Sequence, residues 1–297
     1  MYLTIDTLPI KGFKGTFIVV FIDNLLLFGL KSRLKNEWTF SRTLRSCTVV
    51  FFVDFVVRAV IIPLPEFMEE TDYSAGGVLL VNKPLRWTSF DVVSKVRNML
   101  KQKYGKRLKV GHAGTLDPLA TGLLIICTGA YTKKINEFQD MEKEYEGSFV
   151  LGATRPSFDK ETEIDHTFPT EHIDRAVIAK VATKFIGEID QVPPIYSAIK
   201  IDGKRAYESA RKGTELEMQS RKVLIRAFDI SKIEMPHVYF KVTCSKGTYI
   251  RSLARDFGQE LNSGAYLDSL IRTRIGNFSL KDAMTMEEVQ DLLLEGV

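Results

Sequence analysis

The sequence predicts an α+β fold, in which strands and helices are mixed without a regular βαβ repeat. Two segments, Tyr145–Leu151 and Val238–Cys244, place apolar residues at every second position, as half-buried strands do. Two others, Val92–Leu100 and Ile250–Leu261, carry apolar residues at the spacing of one helix face. Because strands do not alternate strictly with helices, a doubly wound parallel sheet is disfavoured.

Local signals predict the elements before residue 130. Gly77–Asn82 is a short apolar run that predicts a strand, and Thr88 or Ser89 can cap the first of the two helices. A glycine-rich segment, Gly111–Gly122, predicts a loop in which glycines allow unusual backbone angles. The loop leads into an apolar strand at Leu123–Cys127.

Further signals predict the elements of the C-terminal half. Apolar residues from Ile173 to Phe185 follow a helical period, and Gly187 can terminate that helix. Near the end of the chain, Thr285 and Glu288 have the spacing of a capping box. A last short helix is therefore expected to begin after Thr285.

The charge is distributed unevenly, although its sum is small. Lys and Arg number 41 and Asp and Glu number 37, so the net charge of +4 does not by itself indicate nucleic-acid binding. Between Asp91 and Asp117, however, there is no acidic residue, and seven are basic: Lys95, Arg97, Lys101, Lys103, Lys106, Arg107 and Lys109. This run is either a phosphate-binding face or a solvated helix face.

The first 75 residues differ from the rest, and we divide the chain into an atypical extension, 1–75, and a regular domain, 76–297. The extension has two apolar runs, Phe17–Leu30 and Val49–Leu64. Both contain charged residues and are shorter than the roughly 20 apolar residues that span a bilayer. We therefore expect no membrane partner. The extension is a membrane-associated segment, an extra packed subdomain, or upstream sequence translated from a misplaced start. We favour the misplaced start, with Met68 as the alternative initiator.

The chain lacks the usual cofactor and metal patterns. Its three cysteines are far apart without a C-x-x-C spacing, and its four histidines include no H-E-x-x-H motif. No phosphate-binding glycine loop of the nucleotide-binding families occurs. We therefore expect no cofactor, no metal, no disulfide framework and a reducing, cytoplasmic environment.

The segment Gly111–Gly122 reads G-H-A-G-T-L-D-P-L-A-T-G and contains Asp117 between Leu116 and Pro118. An isolated Asp-Pro usually marks a turn in which the carboxylate caps neighbouring amides. Here the twelve residues resemble the catalytic motif of the TruB family of tRNA pseudouridine synthases. That signature, G-H-x-G-x-L-D-P-x-A-x-G, is too long for a chance match.

The resemblance extends from about Gly77 to Phe278. Its further motifs, in order, are Lys83-Pro84, Trp87-Thr88-Ser89, Lys143-Glu144-Tyr145, Pro193-Pro194-x-Tyr196-Ser197-Ala198-x-Lys200, Gly203-x-x-Ala206-Tyr207, Cys244 to Arg251, and Arg272-Thr273-Arg274-x-Gly276-x-Phe278. It implies the pseudouridine synthase fold, a mixed and mostly antiparallel sheet with flanking helices and a central RNA-binding cleft. Departures from the family pattern are Asn82, Arg86, Arg155 and Ile271. Residues 76–297 would form the catalytic domain, a short form without the C-terminal PUA domain of longer members.

The resemblance also implies the catalytic residues. Asp117 matches the catalytic aspartate, Arg251 its arginine partner, and Tyr145 the tyrosine that stacks on the flipped base and relays a proton. Without the family, Arg251 would be read as a surface helix residue and Tyr145 as a half-buried strand aromatic. The reaction breaks the N1–C1′ bond of uridine and joins C5 to C1′, so it needs no redox partner or group donor.

The same resemblance implies a set of RNA contacts. They are Lys83, His112, Lys200, Lys204, Arg211, Tyr249 and Arg274, several of them in the basic segment 200–226 that forms a thumb over the RNA in the family. The expected activity is conversion of uridine 55 in the T loop of tRNA by a cytoplasmic monomer. Alternatives are a guide-RNA-dependent relative, a tRNA-folding factor in which modification is secondary, and a membrane-tethered protein built around residues 1–75.

Overall fold

The structure is a computed structural model that describes residues 4–8, 17–22, 25–30, 72–197, 200–201, 204–205 and 218–294. The chain divides into two compact units, Met1–Glu70 and Thr71–Val297. In the first unit, strands β1 (Thr4–Leu8), β2 (Phe17–Ile22) and β3 (Leu25–Leu30) form an antiparallel sheet in that order.

The apolar run Phe17–Leu30 therefore contains two paired strands. The second apolar run, Val49–Leu64, and the candidate start at Met68 lie outside the described residues, so the expectations about them stay predictions. Within the described part of the chain, no helix combines the length and the apolar character needed to cross a bilayer.

The second unit contains thirteen described strands and five described α-helices. The strands are β4 Gly76–Lys83, β5 Val110–Ala113, β6 Ala120–Gly129, β7 Lys143–Leu151, β8 Ala153–Thr154, β9 His166–Thr167, β10 Gly187–Gln191, β11 Lys200–Ile201, β12 Lys204–Arg205, β13 Arg221–Glu234, β14 His237–Cys244, β15 Ala265–Ile275 and β16 Phe278–Ser279. The helices are α1 Ser89–Tyr104, α2 Ile135–Asp140, α3 Arg175–Lys184, α4 Ile250–Glu260 and α5 Met286–Leu294. Short 3₁₀ turns lie at Ala130–Lys134 and Leu280–Asp282.

One mixed sheet dominates this unit. Its order is β10-β13-β14-β7-β15-β6-β4, with β5 paired to β6 and β16 to β15. All of these pairs are antiparallel except β15 with β6. The predicted α+β class is therefore confirmed.

Two apolar clusters fix the helices on the sheet. Phe149, Phe240 and Phe257 lie in the larger one, and the rings of Phe149 and Phe240 stack with centroids 4.2 Å apart. This cluster packs α3 and α4 against the strands. The smaller cluster joins α1 and α5 to β4 and β6, with Val96 and Val289 fully buried.

Both predicted helix caps are confirmed. The Thr88 side chain accepts from the amide of Asp91, and the Asp91 carboxylate accepts from the amide of Thr88. Thr285 and Glu288 exchange the equivalent bonds before α5. Such caps satisfy amides that the helix itself leaves free.

The glycine-rich segment differs from the prediction. Residues 110–113 pair with β6 as β5, and β6 already begins at Ala120, so the true loop is only residues 114–119. Antiparallel pairing with the long apolar β6 overrides the loop preference of the glycines. We call residues 114–119 the Asp117 loop.

Candidate active site

The Asp117 loop is held by a buried arginine. Arg272, on β15, is 1% exposed, and its Nε donates to the carbonyl of Leu123 at 2.8 Å. Its Nη2 donates to the carbonyl of Gly114 at 3.0 Å. Ser89 fastens the other side, because its Oγ donates to the carbonyl of Leu116 and accepts from its amide. The loop is thus fixed to both α1 and β15.

Arg251 lies against Asp117. It occupies the first turn of α4 and is 3% exposed, so the alternative of a surface helix residue does not apply. Its Nε lies 2.9 Å from Oδ2 of Asp117 and 3.6 Å from Oδ2 of Asp159. The guanidinium also donates to the carbonyls of Tyr196 at 2.9 Å and Ser157 at 3.3 Å. One buried cation therefore faces two carboxylates in a fixed orientation.

The surroundings raise the pKa of Asp117. Loss of water around its carboxylate is the main cause, and the nearby charges of Asp159 and Glu161 act in the same direction. The positive charge of Arg251 opposes them without restoring the ordinary value.

Asp159 is a site residue that sequence reasoning missed. It is 4% exposed and lies in the connection between β8 and β9, just after Phe158, whose φ is +63°. Its Oδ1 accepts from the amide of Glu161 at 2.9 Å. No periodicity singles out this residue in the sequence, and only the packing against Arg251 reveals it.

A narrow cleft lies beside the Asp117 carboxylate. Its free volume is only about 10 Å³, and its lining includes Asp117, Asp159, Leu267, Ser269 and Leu270. Both carboxylates thus share one cavity with the central part of β15. This space holds about one water molecule.

Tyr145 lies on β7, opposite Arg272 in the pairing with β15. It is 8% exposed and belongs to the same apolar cluster as Leu116 and Ala120, which lie on either side of Asp117 in the sequence. Burial raises the pKa of its phenol, and Arg272 opposes that shift. The hydroxyl is therefore a neutral proton donor at physiological pH.

Lys83 requires a correction. The sequence predicted an RNA contact, but the side chain is fully buried and its ammonium donates to the carbonyls of Pro84 at 2.8 Å and Trp87 at 2.6 Å. Burial lowers the pKa of Lys83 to about 8. The residue braces the turn between β4 and α1 and presents no charge at the surface.

His112 is the residue of β5 directly before Ala113 and is half-buried. Its Nδ1 is buried and has no hydrogen-bond partner among the described residues. Burial and the charge of Arg272 lower its pKa, so the imidazole is neutral at pH 7. It therefore presents no positive charge to a phosphate.

The other predicted contacts are dispersed. Tyr249 precedes α4, and the Arg221 guanidinium lies 4.7 Å from its ring centroid. Arg274 is paired with Glu142 at 3.0 Å and Glu144 at 3.7 Å. Lys200 and Lys204 lie on the paired strands β11 and β12, of which the structure describes only the backbone, and Arg211 lies outside the described residues. Among the described residues, no group of three or more His, Cys, Asp or Glu side chains is placed to hold a metal.

Comparison with known proteins identifies the family. The chain matches the TruB family pseudouridylate synthase N-terminal domain over residues 97–250. Residues 251–296 match the tRNA pseudouridylate synthase B C-terminal domain. This chain belongs to the TruB family. The family is one of pseudouridylate synthases.

Individual TruB relatives match most of the chain. A tRNA pseudouridine synthase B from Flavobacterium johnsoniae is 55% identical over 228 residues, which cover 76% of this chain and 100% of that protein. The protein of the same name from Chlorobaculum tepidum is 48% identical over 224 residues, covering 75% and 91% respectively.

Solved structures confirm the pseudouridine synthase fold. A chain in the crystal structure of a Cbf5–Nop10–Gar1 complex is 28% identical with a TM-score of 0.57, and the match covers 74% of this chain and 54% of that one. The archaeal box H/ACA Nop10–Cbf5 complex gives 25% identity and a TM-score of 0.55, covering 76% and 57%. This chain thus spans little more than half of these structural relatives.

Proposed function

We propose that this chain converts uridine to pseudouridine at position 55 in the T loop of tRNA, with Asp117 as the catalytic carboxylate. The contact between Asp117 and the buried Arg251 carries the proposal, because it fixes a carboxylate at the mouth of a narrow cleft. The relatives named tRNA pseudouridine synthase B support the choice of RNA.

The reaction divides among three side chains. Asp117 supplies the carboxylate that acts on the reacting nucleotide, and Arg251 holds it in place and favours its ionised form. Tyr145 stacks on the uracil, and its phenol relays the proton that C5 loses, giving up its own proton as it accepts that one. The N1–C1′ bond breaks, the base rotates and a C5–C1′ bond forms, while C5 loses one proton and N1 gains one, so the product has the composition of the substrate.

The target base must leave the folded RNA to react. A base stacked inside a folded loop cannot reach the Asp117 carboxylate, so we infer that the nucleotide is flipped out. His112, Tyr249 and Arg274, with Lys200, Lys204 and Arg211, are the side chains we propose to hold the surrounding loop. Lys83 is left out of this set because it is buried.

The test is the substitution Asp117→Asn, which keeps the size of the side chain and removes its charge. We expect no detectable pseudouridine in a tRNA transcript, with RNA affinity kept or slightly improved because a negative charge beside phosphates is removed. The measurements are pseudouridine mapping and a binding titration at two salt concentrations. Substantial residual modification would exclude Asp117 as the catalytic group.

A guide-RNA-dependent activity is the second candidate, because the solved relatives with TM-scores of 0.57 and 0.55 come from Cbf5 complexes. The higher identity of 55% to a tRNA pseudouridine synthase B favours action on tRNA alone. Incubation of the purified chain with tRNA in the absence of any other RNA separates the two. Modification under those conditions supports the stand-alone enzyme.

A further inference from the structure

A second and wider groove lies beside β5. It has a volume of about 640 Å³ between α1, β5 and the segment 132–135, and we call it the α1–β5 groove. Its principal lining residues are Phe90, Arg97, Arg107, Lys109, Gly111 and Ile135. None of these residues lines the cleft at Asp117.

The groove is positively charged. Within the described part of the chain, no carboxylate lies within ion-pair distance of Arg97, Arg107 or Lys109. Arg97 Nη2 donates to the carbonyl of Val110 at 3.3 Å, which places its guanidinium on the groove wall. Uncompensated and pre-positioned cations of this kind suit phosphate groups.

An exposed aromatic ring stands beside these cations. Phe90, in the first turn of α1, is 63% exposed, and the guanidinium carbon of Arg97 lies 5.9 Å from its ring centroid. A single exposed phenylalanine is ordinary on a protein surface. An exposed ring within a basic groove is instead the arrangement on which an unstacked base packs while its phosphates meet the cations.

The floor of the groove continues into the active site. Gly111 lines the groove, and the next residues of the same strand are His112 and Ala113, followed by the Asp117 loop. A side chain at position 111 would collide with Ile135, since a Cβ there would lie 2.7 Å from its Cδ1. At about 3.3 Å per strand residue, Gly111 is roughly 10 Å from the start of the loop.

We propose that the α1–β5 groove binds a stretch of RNA backbone and one unstacked base, next to the nucleotides that occupy the catalytic cleft. The inference rests on the proposed function, because it takes RNA as the substrate. It gives the basic run between Asp91 and Asp117 a role in place of a solvated helix face.

The test compares two double variants with equal loss of charge. Arg107→Gln/Lys109→Gln removes two groove cations, whereas Arg175→Gln/Lys180→Gln removes two exposed cations from α3. Binding to a tRNA transcript is titrated at several salt concentrations, in chains that also carry Asp117→Asn to prevent turnover. We expect the groove variant to bind more weakly and to lower the salt slope by about 1.4, the value for two single-strand phosphate contacts. The α3 control should keep the slope of the parent chain.

Phe90→Ala tests the stacked base separately. We expect about tenfold weaker binding at every salt concentration, because a stacked base and not a phosphate contact is lost. The midpoint of denaturant unfolding should be the same in these variants as in the parent chain, which shows that they are folded. RNA affinity and salt slope equal to the parent chain in both groove variants would overturn the proposal. The proposed function fails independently, if the unaltered chain binds tRNA without modifying it.

Discussion

Asp117 is subject to two opposing electrostatic influences. Arg251 at 2.9 Å favours the ionised carboxylate, whereas burial and the charges of Asp159 and Glu161 favour the protonated acid. The second group of effects is larger, so the pKa of Asp117 is raised. A folded-state pKa above the unfolded value means that the folded chain binds this proton more tightly. Asp117 therefore contributes less to stability as the pH rises through its pKa.

This shift predicts the acid side of the pH–rate profile. The carboxylate must be ionised, so single-turnover modification should fall as the pH drops, at a pH above the ordinary aspartate pKa of about 3.9. Asp159→Asn removes one of the charges that raise the pKa, so the fall should move to lower pH. The measurement is the rate between pH 4 and pH 8 (roughly the window of carboxylate titration) for both chains. Identical profiles would show that Asp159 does not act on the titration of Asp117.

The sequence predicted only part of this residue-scale arrangement. Asp117, Arg251 and Tyr145 could be selected because each stands in a family motif, and the structure brings the first two into contact. Asp159 and Arg272 could not be assigned roles, because their partners lie far away in the sequence and meet them only through the sheet. The surface role of Lys83 was predicted wrongly because a motif does not reveal burial.

At the scale of elements, Gly122 determines whether β6 can lie beside β15. Its φ is +106°, and a Cβ at this position would lie 2.4 Å from the carbonyl oxygen of Arg272. At Gly105, which ends α1 with φ of +66°, no atom lies within 4 Å of the place where a Cβ would be. Both glycines have a positive φ, which strains other residues, but they differ in the space around them.

Alanine substitutions should separate strain from crowding. Gly105→Ala should lower the free energy of unfolding by about 1 kcal/mol, the usual penalty of a left-handed conformation. Gly122→Ala should lower the free energy of unfolding by about 3 kcal/mol or more and also slow modification, because β6 must move away from the arginine that holds the Asp117 loop. Denaturant titrations and single-turnover rates give both quantities. Equal losses in the two variants would show that the close approach at Gly122 is unimportant.

How regularly the apolar residues are spaced decided which strands could be predicted from the sequence. The strands β7 and β14 pair over their whole length and were predicted from alternating apolar residues, whereas β4 was predicted from its short apolar run. The long strands β13 and β15 were missed, and both contain register shifts where their pairing is irregular. An extra residue at such a bulge moves the following side chains to the opposite face and erases the alternation.

At the scale of the whole catalytic unit, the parallel pair of β15 and β6 joins the two parts of the sheet. The Asp117 loop lies directly before β6, and Arg272 reaches it from β15. Arg251 comes from α4, the helix before β15, and Tyr145 comes from β7 on the other side of β15. The residues around Asp117 thus come from β15 and from the elements next to it. Because these elements are far apart along the chain, the residues are dispersed over more than a hundred positions in the sequence.

The role of the first 67 residues is the remaining question at this scale. We predict that a chain starting at Met68 folds and modifies tRNA at the rate of the full chain. The compact unit Thr71–Val297 contains every described residue of the candidate site, the family match begins at residue 97, and 228 residues of this chain cover the whole Flavobacterium johnsoniae relative. The checks are solubility, the midpoint of denaturant unfolding and the single-turnover rate, each measured beside the full chain. Loss of folding or of activity on removal of residues 1–67 would instead show that the extension is a structural element of the enzyme.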